Sequence, residues 1–220
     1  MTPPRAGGDR RGSGRRTSMR TTFFPRDPGA AGPDAGLAAH SRTAARYAVL
    51  LARSLGIDGQ RLLRDIERGA LLHDVGKAAV PRAILFKNGP LTEFERDVVR
   101  EHPLVGYRML AGFGGLNRAS EIVLCHHERW DGRGYPFGLA GETIPLGARI
   151  FALADTLDAM TTDRAYRGAR PFEEAVEEIG GLAGLQFDPT VVGVFLSIPA
   201  AVWRWAGAGA RVILAAPTVH

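Results

Sequence analysis

Five of the six histidines in this 220-residue chain fall on or at the ends of segments with helical periodicity: His40, His73, His102, His126 and His127. His40 lies on an apolar stripe with Ala44, Tyr47, Leu51 and Leu55, and His73 shares one with Ile66 and Ala70. His126 and His127 follow Ile122 and Val123 at i, i+4, extending an inward face. One buried imidazole needs only a hydrogen-bond partner. Five without a common partner incur the desolvation cost repeatedly, whereas a metal centre satisfies them together. Two carboxylates join the set. Asp74 adjoins His73, and Asp155 interrupts an apolar helix in which Ile150, Phe151, Ala154 and Leu157 face the core. Seven such groups exceed a tetrahedral zinc site and suit two metals of iron or manganese character, with one carboxylate bridging and positions open for water and substrate. A two-metal centre lowers the pKa of water and stabilises phosphoryl charge, so phosphoester hydrolysis is the expected reaction class.

Cations form a further layer. Lys77 stands one helical turn beyond His73 and Asp74, and Arg164 and Arg167 follow Asp155 in TTDRAYRGA. The chain has 28 lysines and arginines, so scattered exposed ones are the ordinary explanation. Their place just downstream of a candidate ligand singles out the two arginines, whose planar guanidinium groups suit phosphate.

Helices must hold these groups. The stripe from residue 37 ends at Gly56, and a second helix is expected from about Gln60 to Asp74. Thr92 and Glu95 form a capping box for a third, carrying His102 near its middle or just before Pro103 bends it. Further helices are expected at 117–127, 147–160, 172–182 and 188–197, with a long Gly- and Pro-rich loop over 128–145. Strand-type alternation is scarce, so the fold class is all-α.

Composition bounds the rest. A lone Cys125 excludes a disulfide framework and a cysteine-based zinc site, and it fits a small buried hydrophobe in a reducing compartment. Residues 1–36, rich in Gly, Pro and Arg, read as a disordered tail. That tail carries most of the formal charge of +5, so the body is close to neutral and no nucleic-acid polymer is expected as partner. The apolar stretch from Val191 to Trp203 is broken by Pro199 and is short for a membrane span, which favours a core helix followed by a break and a cytoplasmic protein. The domain is drawn at 37–200, with 201–220 as a C-terminal extension.

Read together, HDVGK (73–77), HPLVG (102–106), HHERWDGRGYP (126–136), IPLGARIFALAD (144–155), DAMTTDRAYR (158–167) and FDPTVV (187–192) resemble the HD-GYP family, bacterial phosphodiesterases that hydrolyse cyclic di-GMP. The resemblance covers roughly Leu37 to Leu196 and implies an HD-domain helical bundle. Carried over, it implies metal ligation by His40, His73, Asp74, His102, His126, His127 and Asp155, with Asp74 as the bridge. It implies that Lys77 contacts the scissile phosphate, that Tyr135 lines the substrate pocket, and that Arg164 and Arg167 hold the dinucleotide phosphates. Asp74 and Lys77 are thus the expected catalytic residues, with iron or manganese as cofactor. Trinuclear members place a glutamate four residues before the first histidine. Here that position is Gly36, and Asp34 is expected to lie in the tail, so a binuclear centre is expected. The missing glutamate leaves open whether the product is pGpG or GMP.

Two other readings stand beside this one. The first is hydrolysis of another cyclic dinucleotide. The second is a catalytically silent cyclic di-GMP sensor or adaptor, against which the seven intact ligands weigh. The resemblance also implies docking to diguanylate cyclases or other signalling proteins through the GYP loop, and a homodimer is compatible with the sequence.

Overall fold

The computed structural model describes residues 33–163 and 168–209. Ten α-helices follow in chain order among the described residues. They are α1 (Pro33–Ser54), α2 (Gln60–Leu72), α3 (Arg82–Leu85), α4 (Glu93–Arg100), α5 (His102–Leu110), α6 (Asn117–Cys125), α7 (Leu146–Thr161), α8 (Phe172–Gly181), α9 (Pro189–Ser197) and α10 (Ala200–Gly207). Short 3-10 segments lie at Val75–Ala79 and Gly141–Thr143. The described residues hold only two isolated β-bridges and no strand, as the all-α expectation required.

The core forms where α1 packs on both α2 and α7. Ala44, Ala48, Leu51 and Ala52 of α1 are fully buried, and the three alanines let the neighbouring helices approach closely. Ile66 and Ala70 of α2 and Ile150, Phe151, Leu153, Ala154 and Leu157 of α7 complete this layer, each with no exposed surface. Each large aliphatic side chain buried here stabilises the fold by about 1.5–3 kcal/mol. α6 lies against α2, and α5 against both α6 and the 3-10 segment that follows Asp74. The helices that carry the histidines are therefore the ones the core binds together.

Several boundaries differ from the sequence expectation. α1 begins at Pro33, inside the segment read as tail, so Asp34 and Gly36 both lie on the helix, with Gly36 one turn before His40. α2 stops at Leu72, one residue short of His73. The single helix expected over His102 is two: α4 ends at Arg100, and α5 opens at His102 with Pro103 in its first turn, where a missing N–H costs nothing. The capping box is present, with Thr92 Oγ1 accepting from the Glu95 N–H (3.2 Å) and Glu95 Oε2 accepting from the Thr92 N–H (2.7 Å).

α10 crosses the boundary drawn at residue 200. Trp203 is buried between Tyr47 and Phe195, and the Arg46 guanidinium donates to the Ala206 and Gly207 carbonyls, both at 2.8 Å, capping α10. Those last carbonyls have no partner within the helix, which is why an arginine from α1 is drawn to them. Among the described residues no single helix is long and apolar enough to cross a membrane, and α9 and α10 meet at 94°.

Cys125 is buried against Ile144 and Ala148. Burial first, then the charges of Glu128 and Glu121, push its thiol up to about 12. At pH 8 roughly one such thiol in ten thousand is ionised. Iodoacetamide should therefore label the native protein far more slowly than the denatured chain, and the rate should rise with pH. Equal labelling of both would contradict the burial.

Candidate metal centre

Three of the histidines sit where a helix runs out. His73 caps the C-terminus of α2, His102 follows the last turn of α4, and His126 caps the C-terminus of α6. Carbonyls in a last helical turn lack intrahelical partners, and each imidazole takes one up. The Nδ1 of His73 donates to the Ala70 carbonyl (2.8 Å), that of His102 to Val99 (2.7 Å) and that of His126 to Val123 (2.8 Å). A neutral ring has one N–H, so these bonds leave each Nε2 as a bare lone pair turned inward.

The inward atoms form two clusters. His102, His126 and His127 make one, and His40, His73 and Asp155 the other; within each, the candidate ligand atoms all lie within 4.8 Å of one another. Asp74 stands between them. Its Oδ2 is 3.2 Å from His73 Nε2, and its Oδ1 is 3.4 Å from His102 Nε2, so one carboxylate oxygen faces each cluster. Lys77 Nζ donates to Asp74 Oδ2 at 2.8 Å. Gly76 makes this approach feasible, because a Cβ there would sit 2.0 Å from the His102 carbonyl oxygen.

The polar atoms left without partners suit a bound cation. His102 Nε2 and His126 Nε2 face each other at 3.3 Å, although both rings have committed their hydrogens elsewhere. Asp155 Oδ1 is buried and accepts no aligned hydrogen bond, although His40 Nε2 lies 3.0 Å away. Lone pairs opposed in this way are costly unless a positive charge lies between them. The donor set therefore fits divalent metal.

Electrostatics agree. Burial first, then the neighbouring histidines, holds His126 well below its usual range and His127 at about 4, and burial also lowers His102. All three are neutral near pH 7, which is the ligating form. Burial opposes charge on Asp155, but His40, His73 and His126 beside it lower it to about 2. Asp74 is likewise held far below the carboxylate range by His73 and Lys77, against its burial. His40 differs: burial lowers it, but Asp155 and Asp158 on either side raise it to about 9, so metal entering there displaces a proton.

The loop after α6 roofs the centre. The Tyr135 ring stacks on His127 (centroids 4.6 Å apart, 23° between planes), and the Arg100 guanidinium lies 5.7 Å above Tyr135. These residues, with Arg133, Asp155 and Thr156, line a cleft of about 270 Å³. Two devices hold the loop. Glu128 is buried and accepts the Phe137 N–H (2.8 Å) and the Leu139 N–H (3.0 Å), folding the loop over itself. Gly134 runs so close to the His127–Arg129 backbone that a Cβ would lie 2.4–2.6 Å from it.

Residues 31–191 match the family model described as HD domain. The chain belongs to the HD domain family. The chain is 42% identical over 165 residues to a cyclic di-GMP phosphodiesterase response regulator of Xanthomonas campestris pv. campestris, covering 74% of this chain and 43% of that relative. It is 36% identical over 160 residues to the 3′3′-cGAMP-specific phosphodiesterase 2 of Vibrio cholerae, covering 72% of this chain and 30% of the relative. The chain thus spans less than half the length of these relatives. In structure it resembles Bd1817, an HDG"Y"P protein of Bdellovibrio bacteriovorus, with TM-score 0.60 and 22% identity over 73% of this chain and 51% of that one.

All seven candidate ligands of the HD domain converge, and Lys77 and Tyr135 stand beside them. Arg164 and Arg167 lie outside the described residues. Sequence reasoning missed Glu128, Arg100 and Asp158. The signal for Asp158 was available: it breaks the same apolar helix as Asp155, three residues on. Glu128 looked like an ordinary polar loop residue, and nothing local marked Arg100.

Removing the Glu128 carboxylate leaves the part-buried Phe137 and Leu139 amides without their acceptor, so Glu128→Ala should lower stability by about 1–2 kcal/mol. Hydrogen exchange at Phe137 and Leu139 should quicken with it. Unchanged exchange there would show that the loop is held by other contacts.

Proposed function

We propose that this chain is a metal-dependent phosphodiesterase that hydrolyses the phosphodiester bonds of cyclic di-GMP. The observation that carries the reading is the pair of ligand clusters sharing Asp74 beneath a cleft rimmed by arginine and tyrosine. The activities for which the relatives are named support it. Iron or manganese is the proposed metal, because a set this rich in imidazole with carboxylate suits both. A binuclear centre is proposed because Gly36 offers no ligand one turn before His40. The cytoplasm is the proposed compartment because the substrate is a nucleotide second messenger.

A metal pair held by His40, His73, Asp74, His102, His126, His127 and Asp155 would supply Lewis acidity and a water of lowered pKa. The protein's own groups do the rest. Lys77, 30% exposed and anchored on Asp74, places an ammonium where charge develops on the non-bridging phosphate oxygens. Burial first keeps the Tyr135 hydroxyl at about 12, against the pull of Arg100, so it remains a donor at neutral pH. Arg100 and Arg133 on the cleft, with Arg164 and Arg167, bind the anionic dinucleotide and hold the bond in line.

A second substrate, 3′3′-cGAMP, stands beside the first because the Vibrio relative named for it shares 36% identity. Incubating the anaerobically loaded protein with each dinucleotide and following linear product and mononucleotide separates the two. Asp74→Ala should abolish turnover by losing metal. Lys77→Ala should keep its metal and lose about 100- to 1000-fold in kcat. Saturable binding without turnover under iron or manganese would leave a sensor or adaptor in place of an enzyme.

A further inference from the structure

His40 differs from the other histidines in where it sits. His73, His102 and His126 each give Nδ1–H to a carbonyl freed by a helix end. His40 lies inside the 22-residue helix α1, where neighbouring carbonyls already accept the helix's own N–H groups. Its ring has to find an acceptor elsewhere. The acceptor is Asp158 of α7, whose Oδ2 makes a short hydrogen bond with His40 Nδ1. Asp158 is 1% exposed, and its other oxygen accepts from Thr162 Oγ1 at 3.1 Å. A carboxylate buried this deeply in an apolar helix is costly unless it is paired, and here it pairs with His40 and Thr162.

We infer that Asp158 is a positioning residue for the metal centre: by accepting the His40 Nδ1–H it fixes the tautomer and ring angle that present Nε2 to the ion shared with His73 and Asp155. Asp155 and Asp158 lie three apart on α7, so one face of that helix supplies a ligand and the orienting partner of a second ligand. The carboxylate also makes this imidazole a stronger donor than a carbonyl partner would. The two clusters are therefore unequal: one is built from three histidines, while the other carries Asp155 directly and Asp158 behind His40. An amide at 158 can turn its NH2 toward Nδ1, placing the proton on Nε2 and blocking ligation.

This inference rests on the metal-centre reading above, and cobalt(II) titration of the chelator-stripped full chain tests the two separately. The wild type should take up two equivalents. Asp158→Asn should keep one and weaken the other by about 10- to 100-fold. His40→Ala should weaken the same equivalent, and the double variant D158N/H40A should bind no worse than H40A, because Asp158 acts through His40. Thr162→Val, which retains the carboxylate, should weaken that equivalent by a smaller factor, and it carries the test if D158N does not fold by circular dichroism. A D158N protein that binds both equivalents like the wild type would overturn the role of Asp158, and so would losses that multiply in the double variant. A wild type that takes up no cobalt would overturn the metal-centre reading itself and this inference with it.

Discussion

The architecture depends on a small constraint: an imidazole that gives its Nδ1–H away must turn Nε2 elsewhere. Three helix ends supply the acceptors, through Ala70, Val99 and Val123. A last-turn carbonyl is unsatisfied in any helix, so the protein meets two needs with one bond, capping the helix and fixing the tautomer. The lone pairs of His73 and His102 then face Asp74, which belongs to no α-helix and turns between α2 and the 3-10 segment, while that of His126 faces His102. The core of α1, α2 and α7 serves this convergence by holding His40, His73 and Asp155 rigidly, since ligand atoms displaced by an ångström would no longer share an ion.

The loop from Glu128 to Pro145 is the second construction. It is tied at its base by Glu128, and to the connection between α8 and α9 by the Trp130 and Asp131 amides, which donate to the Gln186 and Leu185 carbonyls at 3.2 and 2.8 Å. Arg149 of α7 pairs with Asp188 (2.7 Å), the residue that caps α9, and lies 5.8 Å over the Trp130 ring. Each tie joins the roof to an element that carries a ligand or abuts one. The Tyr135 ring is thereby held on His127, and the cleft has a fixed wall before any substrate arrives.

Much of the centre was legible in the sequence because burying polar groups on apolar stripes has few explanations. Periodicity alone put His73 beside Ile66 and Ala70, and Asp155 beside Ile150 and Ala154, on inward faces that the structure brings into one cluster, and Asp74 followed from its neighbour and the family resemblance. Helix ends read less well. α2 stops short of His73 because the ring takes the Ala70 carbonyl, and α4 separates from α5 at Glu101 where periodicity continues unbroken. The connection across Pro199 was read as a break and forms one, yet the helix beyond it was not foreseen, because its anchor, Arg46, lies some 160 residues away. Glu128 and Arg100 escaped for the same reason: their partners are defined only once the loop has folded back.

In the proposed centre one carboxylate, Asp74, joins two metal sites. Electron paramagnetic resonance of the manganese-loaded full chain addresses it directly, because two manganese ions bridged by a carboxylate couple magnetically, while separate ions do not. The wild type should hold two manganese per chain and give a coupled spectrum that Asp74→Ala abolishes. A spectrum of isolated manganese at full loading, or a coupled one that survives loss of Asp74, would contradict it.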